Sequence, residues 1–558
     1  MRRHLFYLYL TISLIGCSDS APSSSGSNSS SANIDNSHTV EYNTATATAD
    51  EGEVLLSGEI TYTRYLPDGE NGLDYNAPVY LPVRGAVIEL WDKNDEVISS
   101  TNSTDGGKYS FSVAKKSQVT VVFKAVLGHP KSPTVEVVDN TQGEAIYALA
   151  RSIYMPIDDI KNFNINAESG WSENGYTATR EAAPFAILDD IYTAQQRILT
   201  IDPTLRFPLL QVNWSSENNG SSGAVSNGDI GTSYYDPASK KFYILGAADS
   251  DTDEYDSAVV IHEWFHYFED NFSRTDSLGG EHGERDILDP SVAFSEAYCN
   301  ALSSIVRDDS TYIDTYGRQQ GSTAIYMNMD EDSVSDSSSH RKGLRYDGFY
   351  SESSIQEVIY DLYDGGGSSD DDNLELGLRP LHLAIVKQQK TTPAFTSIFS
   401  FLQALKEDNS GVAGEIERIA SDENITAHDE YEAIATPLYT DIEIDSGDVT
   451  EDILGDPLQT WSTYGAISGD DPGNKLYNRL FFRFTPQRNG CHTITATPTD
   501  RSGDLLIYLT DSLVVDDDFG QSEKAVVDLK AYQATTFAVG SYDRATPFTV
   551  RVDSGGNC

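Results

Sequence analysis

His262, Glu263 and His266 are the residues of this 558-residue chain whose types and spacing best suit chemistry. The two histidines stand at i and i+4, so on a helix they project from one face, one turn apart. Two imidazoles so placed reach one tetrahedral Zn²⁺ at about 2.0–2.1 Å. Glu263 follows the first histidine and falls beside the open coordination position, where a carboxylate takes a proton from water. The chemistry that follows is metal-assisted hydrolysis. Val259, Val260 and Ile261 lead into the triplet, and Trp264, Phe265, Tyr267 and Phe268 surround it, as expected of a buried helix. Asp253, Glu254 and Asp256 lie just before that helix, where carboxylates suit an N-terminus.

Such a site needs a third ligand. The residues after His266, Tyr267 to Phe272, carry neither the glycine nor the final histidine of HExxHxxGxxH, which excludes the metzincin arrangement. Glu296 comes thirty residues past His266, within Ala293-Phe294-Ser295-Glu296-Ala297-Tyr298-Cys299-Asn300, a helical pattern that Pro290 opens. HExxH followed by a helix-borne Glu resembles the gluzincins, the thermolysin-like and aminopeptidase-like zinc peptidases. The resemblance covers roughly residues 180–365 and is specific at the two metal helices. It implies Zn²⁺ held by His262, His266 and Glu296, with Glu263 as the proton acceptor. In thermolysin-like members an Asp four residues past the ligand Glu commonly holds a ligand His. Here that position is Asn300, which accepts a hydrogen bond but carries no charge.

The same resemblance calls for a donor to the oxyanion of the tetrahedral intermediate. Tyr350, just before Ser353-Ser354-Ile355, is the first candidate, Tyr346 the second and His340 a weaker third. With 32 tyrosines in the chain, a packing tyrosine is an equal reading. His282, in the loop Leu278-Gly279-Gly280-Glu281-His282-Gly283-Glu284, is a candidate to position substrate or donate to the oxyanion; a turn with an exposed histidine fits the loop equally. The strand Lys241–Leu245, just upstream, is by resemblance to zincin architecture the sheet edge on which an extended peptide adds. No GxMEN exopeptidase signature is visible, which leans toward endopeptidase.

The elements that must position these groups read as follows. Helical periodicity covers Arg180–Leu199, Ser257–Asp270, Ser291–Val306, Ser354–Tyr363 and Pro393–Lys406, with strands at Leu209–Trp214, Thr232–Tyr235 and Lys241–Leu245. The expected fold is multidomain: an α+β zincin-like (gluzincin) central domain, 141–440, between two β-sandwich domains. Residues 51–140, with strands Val54–Tyr62, Ala86–Trp91, Tyr109–Val113 and Val119–Val126, resemble the Ig-like or transthyretin-like modules found beside secreted peptidases. Residues 441–558 resemble the pre-peptidase C-terminal β-sandwich. The Asp/Ser-rich stretches Asp330–Ser339 and Gly365–Asp372 offer hard oxygen ligands for Ca²⁺, though neither has EF-hand spacing and solvated loops are the simpler reading.

The N-terminus sets the compartment. Arg2 and Arg3 precede an apolar run, Leu5 to Ile15, too short to span a bilayer, so residues 1–17 read as a signal peptide. Its end, Leu14-Ile15-Gly16-Cys17, resembles a lipobox, which implies lipidation at Cys17. Ser18 after the cysteine implies the outer membrane by proteobacterial sorting rules. Residues 18–50 form a tether; ten serines fall within 18–38. In an exported protein, Cys491 and Cys558 suit a disulfide or two free thiols, and Cys299 suits a small buried residue.

A formal charge of −49 argues against nucleic acid and against docking on an anionic membrane surface, leaving the lipid anchor as the membrane contact. Three readings stay open: a zinc metallopeptidase acting on a peptide or protein substrate, a catalytically inactive lipid-anchored surface binding or adhesion protein on a zincin scaffold, and a zinc hydrolase of another substrate.

Overall fold

The computed structural model describes residues from Thr44 to Cys558, apart from residues 331–346, 366–373, 454–474 and several shorter stretches. The signal peptide, lipobox and Cys17 lie outside the described residues, as do His340 and Tyr346. The two Asp/Ser-rich stretches do too, but for Asp330 and Gly365 at their starts. Among the described residues no helix is long and apolar enough to cross a membrane.

The chain divides into two compact units, each built from separated segments. One comprises residues 21–271 and 302–328. Its first strand, Glu53–Arg64, alternates buried and half-buried positions, the period-2 pattern of a strand with one covered face. It pairs antiparallel with Lys108–Ala114 and Val79–Pro82, and parallel with Ile165–Ala167. A nine-stranded sheet accompanies it, and the Tyr109 and Phe123 rings, one from each sheet, meet edge to face at 5.2 Å.

Helix α1 (Ala183–Ile201) buries Ile187, Leu188, Ile191 and Ile198. Strands β1 (Leu210–Trp214), β2 (Tyr234–Asp236) and β3 (Lys241–Ile244) then extend the nine-stranded sheet. β1 pairs parallel with Ser132–Asp139, so the sheet is continuous across residue 140, where a domain boundary was expected. β3 does not form the edge. It lies between β1, parallel, and β2, antiparallel, and β2 is the edge strand. The short β2 carries too little periodicity to reveal from sequence which strand of the hairpin ends outermost.

Helix α2 (Ser257–Phe272) follows, with Val260, Ile261, Trp264, Phe265 and Phe268 almost inaccessible. A helix apolar on this much of its surface must be enclosed. Arg64 fixes its start: the guanidinium binds Asp190 of α1 bidentately at 3.0 and 2.9 Å and donates to Tyr255 O and Ser257 Oγ. Helix α3 (Pro290–Arg307) is next, then the hairpin β4 (Thr311–Tyr316) and β5 (Thr323–Asn328).

The second unit comprises residues 272–301 and 329–558. Helix α4 (Glu352–Asp364) is capped by Ser351, whose Oγ accepts from Ser354 N. The described strands between residues 439 and 554 form a β-sandwich of a five-stranded and a four-stranded sheet. Phe482, Ile507 and Phe537 of one sheet share a core with Ile494, Phe548 and Val550 of the other. Cys491 and Cys558 are disulfide-bonded, Cα to Cα 5.8 Å, which ties down the C-terminus. Arg479, in a sandwich strand, is buried with both Nε and Nη2 on the Asp289 carboxylate, at 2.9 and 2.7 Å. Asp289 Oδ1 also accepts from Ser291 N, so one carboxylate starts α3 and anchors the arginine.

Candidate metal centre

The helical spacing of His262 and His266 has the expected result. Their Nε2 atoms lie 3.0 Å apart. Two nitrogens bound to one tetrahedral ion stand about 3.3 Å apart. His262 is 8% exposed and packs edge to face on Tyr312 of β4 at 6.2 Å.

Glu263 is buried, and its Oε2 accepts the main-chain N–H of Tyr235 at 2.8 Å. Its Oε1 lies 4.0 Å from His262 Nε2. Tyr235 sits on β2, and its phenol donates to Asp270 near the other end of α2 at 2.6 Å. The edge strand therefore grips α2 at two places and sets the carboxylate of Glu263. This use of a main-chain donor left no mark in the sequence.

Glu296 lies on α3, whose later half packs on α2: Ser303 Oγ donates to Ala258 O at 2.8 Å. Glu296 is seven residues before Ser303, two turns back on the same face and about 10 Å along the axis. His262 and His266 lie four and eight residues beyond Ala258, about 6 and 12 Å along. One donor atom from each of His262, His266 and Glu296 lies within 4.8 Å of the others, a candidate metal-binding triad.

The surroundings of Glu296 are polar and closed. His282 is 3% exposed rather than a solvent-facing turn residue. Its Nδ1 faces Gly280 O at 3.0 Å, and its Nε2 lies 3.5 Å from Glu352 Oε2 and 3.8 Å from Glu296 Oε2. The two carboxylates outweigh burial and raise its pKa. Asn300 Nδ2 donates to Glu352 Oε1 at 2.7 Å and Gln356 Oε1 at 2.9 Å, binding α3 to α4. These contacts assign the Asn300 amide to positioning the helix that carries Glu296. Tyr350 is buried just before α4, its carbonyl accepting from Leu288 N at 2.9 Å. Cys299 is fully buried.

The acids before α2 are not simple helix-end charges. Glu254 pairs with buried Arg180. Asp256 Oδ2 accepts Thr315 N at 2.9 Å, fastening β4 to the start of α2. No pattern within the local sequence reveals these partners, which lie 74 and 59 residues away.

No family model matches the chain, and no curated protein matches it. Among solved structures, it is similar to the pre-peptidase C-terminal domain of a collagenase from Bacillus anthracis at 11% identity, covering 20% of this chain and 93% of that one, with a TM-score of 0.14. A cycloisomaltooligosaccharide glucanotransferase of Paenibacillus sp. matches at 9% identity over 89% of this chain and 72% of that one, TM-score 0.12.

Proposed function

We propose that the chain is a zinc-dependent metallopeptidase of the gluzincin kind, an endopeptidase acting on a peptide or protein substrate. The observation that carries this reading is the approach of His262, His266 and Glu296 donor atoms to within 4.8 Å. Two imidazoles and one carboxylate are a donor set suited to catalytic zinc, which keeps a position for water or substrate. When bound there, zinc supplies Lewis acidity and lowers the pKa of water toward about 7.

The protein's own groups do the rest. Glu263 Oε2 is held by the Tyr235 N–H, and Oε1, on the His262 side, takes the water proton and passes it to the leaving amine. His282 and Asn300 keep Glu296 and its helix in place. Tyr350 is the candidate to steady the oxyanion, on the resemblance alone. The expected lipid anchor at Cys17 puts this activity at the bacterial cell envelope, outer membrane side.

Casein turnover by the purified protein, before and after chelation and after zinc is restored, tests the reading. Turnover that depends on zinc supports it. A zinc-loaded protein that cleaves no peptide substrate supports the inactive surface-binding alternative instead.

A further inference from the structure

A second group of acidic side chains lies within the unit of residues 21–271 and 302–328. Asp251 and Asp253 sit in the segment leading to α2, and Asp314 sits on β4. One carboxylate oxygen from each lies within 4.8 Å of the others. The segments are pinned together: Asp251 forms a β-bridge with Tyr316, and Gly317 N donates to Ser250 O at 2.8 Å. The carboxylates therefore cannot separate by swinging the backbone apart.

Asp253 is the telling member. It is 3% exposed, and Ser233 Oγ donates to its Oδ2. Its Oδ1 is inaccessible and meets no N–H or hydroxyl donor among the described residues, and its carboxyl lies against that of Asp251. The Oδ1 atoms of Asp251 and Asp314 are equally inaccessible and likewise meet no N–H or hydroxyl donor among the described residues. Desolvation first, and neighbouring carboxylates second, raise the pKa of Asp251 and of Asp314. Lys and Arg make no ion pair with any of the three among the described residues. Buried acceptors without donors cost stability unless a cation completes them. Asp251 and Asp314 are half-buried as residues, which leaves an ion a way in.

We propose that Asp251, Asp253 and Asp314 form a binding site for a hard divalent cation, Ca²⁺, separate from the His262–His266–Glu296 centre. Calcium takes oxygen ligands at about 2.3–2.6 Å, so two ligands of one ion stand up to about 5 Å apart. An all-oxygen set with no imidazole or thiolate suits calcium rather than zinc. The ion would join the segment entering α2 to β4, where Asp256 and Thr315 already meet. It would thus stiffen the entry to the helix that carries the histidines.

The test is Tb³⁺ luminescence and Ca²⁺ displacement on the purified chain, with thermal melting in added CaCl₂ and zinc content measured in parallel. Wild type is expected to bind one Tb³⁺ tightly, release it to Ca²⁺, and melt several degrees higher in millimolar Ca²⁺. Asp314→Asn and Asp251→Asn should each weaken binding about tenfold or more and lose the thermal shift, with zinc content retained. His262→Ala should lose zinc and still bind Tb³⁺. Wild type that shows neither tight Tb³⁺ binding nor a Ca²⁺-dependent melting shift overturns the proposal. So do both Asp variants titrating like wild type, since the ion would then sit elsewhere on this acidic surface.

Discussion

The main-chain N–H of Tyr235 donates to Glu263 Oε2 at 2.8 Å, so an edge strand holds the carboxylate that follows His262. A base oriented by a rigid backbone donor loses little freedom when it acts. Glu263→Gln keeps the shape and the acceptor for Tyr235 but removes the group that takes a proton. Peptide hydrolysis should fall by about 10²–10⁴-fold with zinc content unchanged. Kinetics on a quenched-fluorescence peptide, beside metal analysis, check this.

His282 and Glu296 form the second informative pair, 3.8 Å apart and both buried. Groups that orient a metal ligand are typically worth about 10–100-fold in metal affinity. His282→Ala should therefore weaken zinc retention by about that factor, read by competition with a chromophoric chelator. Retention equal to wild type would show that Glu296 is held by other groups.

Arg479 and Asp289 form a buried ion pair at the head of α3. Arg479→Met leaves the carboxylate buried without its partner. Breaking such a pair costs about 3–5 kcal/mol, so the melting midpoint should drop sharply. Denaturant unfolding followed by circular dichroism gives the value.

Cys491 and Cys558 close a loop with a sequence separation of 67. Cys558→Ser should lower the stability of the sandwich by about 2–5 kcal/mol without changing peptide turnover per folded molecule. Non-reducing thermal melts and activity per folded molecule separate the two effects.

Helices α2 and α3 were legible because their signals are local. The His262–His266 spacing and the apolar run around it place α2, and Pro290 marks the start of α3. Strands with full alternation, such as Glu53–Arg64, were legible for the same reason. What could not be read was long-range pairing. The expected edge strand, Lys241–Leu245, is interior because β2 folds outside it, a choice made by tertiary packing. The β4–β5 hairpin was not anticipated at all, since Asp314 and the polar residues beside it blur the strand pattern. Asp253 and Asp256 read as helix-end charges, whereas one faces Asp251 and Asp314 and the other fastens Thr315. His282 read as well as a turn residue as a site residue, because burial against Glu296 and Glu352 depends on α4.

Zinc stoichiometry of wild type beside Glu296→Ala and His262→Ala tests the central claim most directly. One zinc per chain should survive dialysis in wild type, and each variant should lose nearly all of it. Wild type that holds no zinc, or a Glu296→Ala protein that holds as much as wild type, would contradict a centre built from His262, His266 and Glu296.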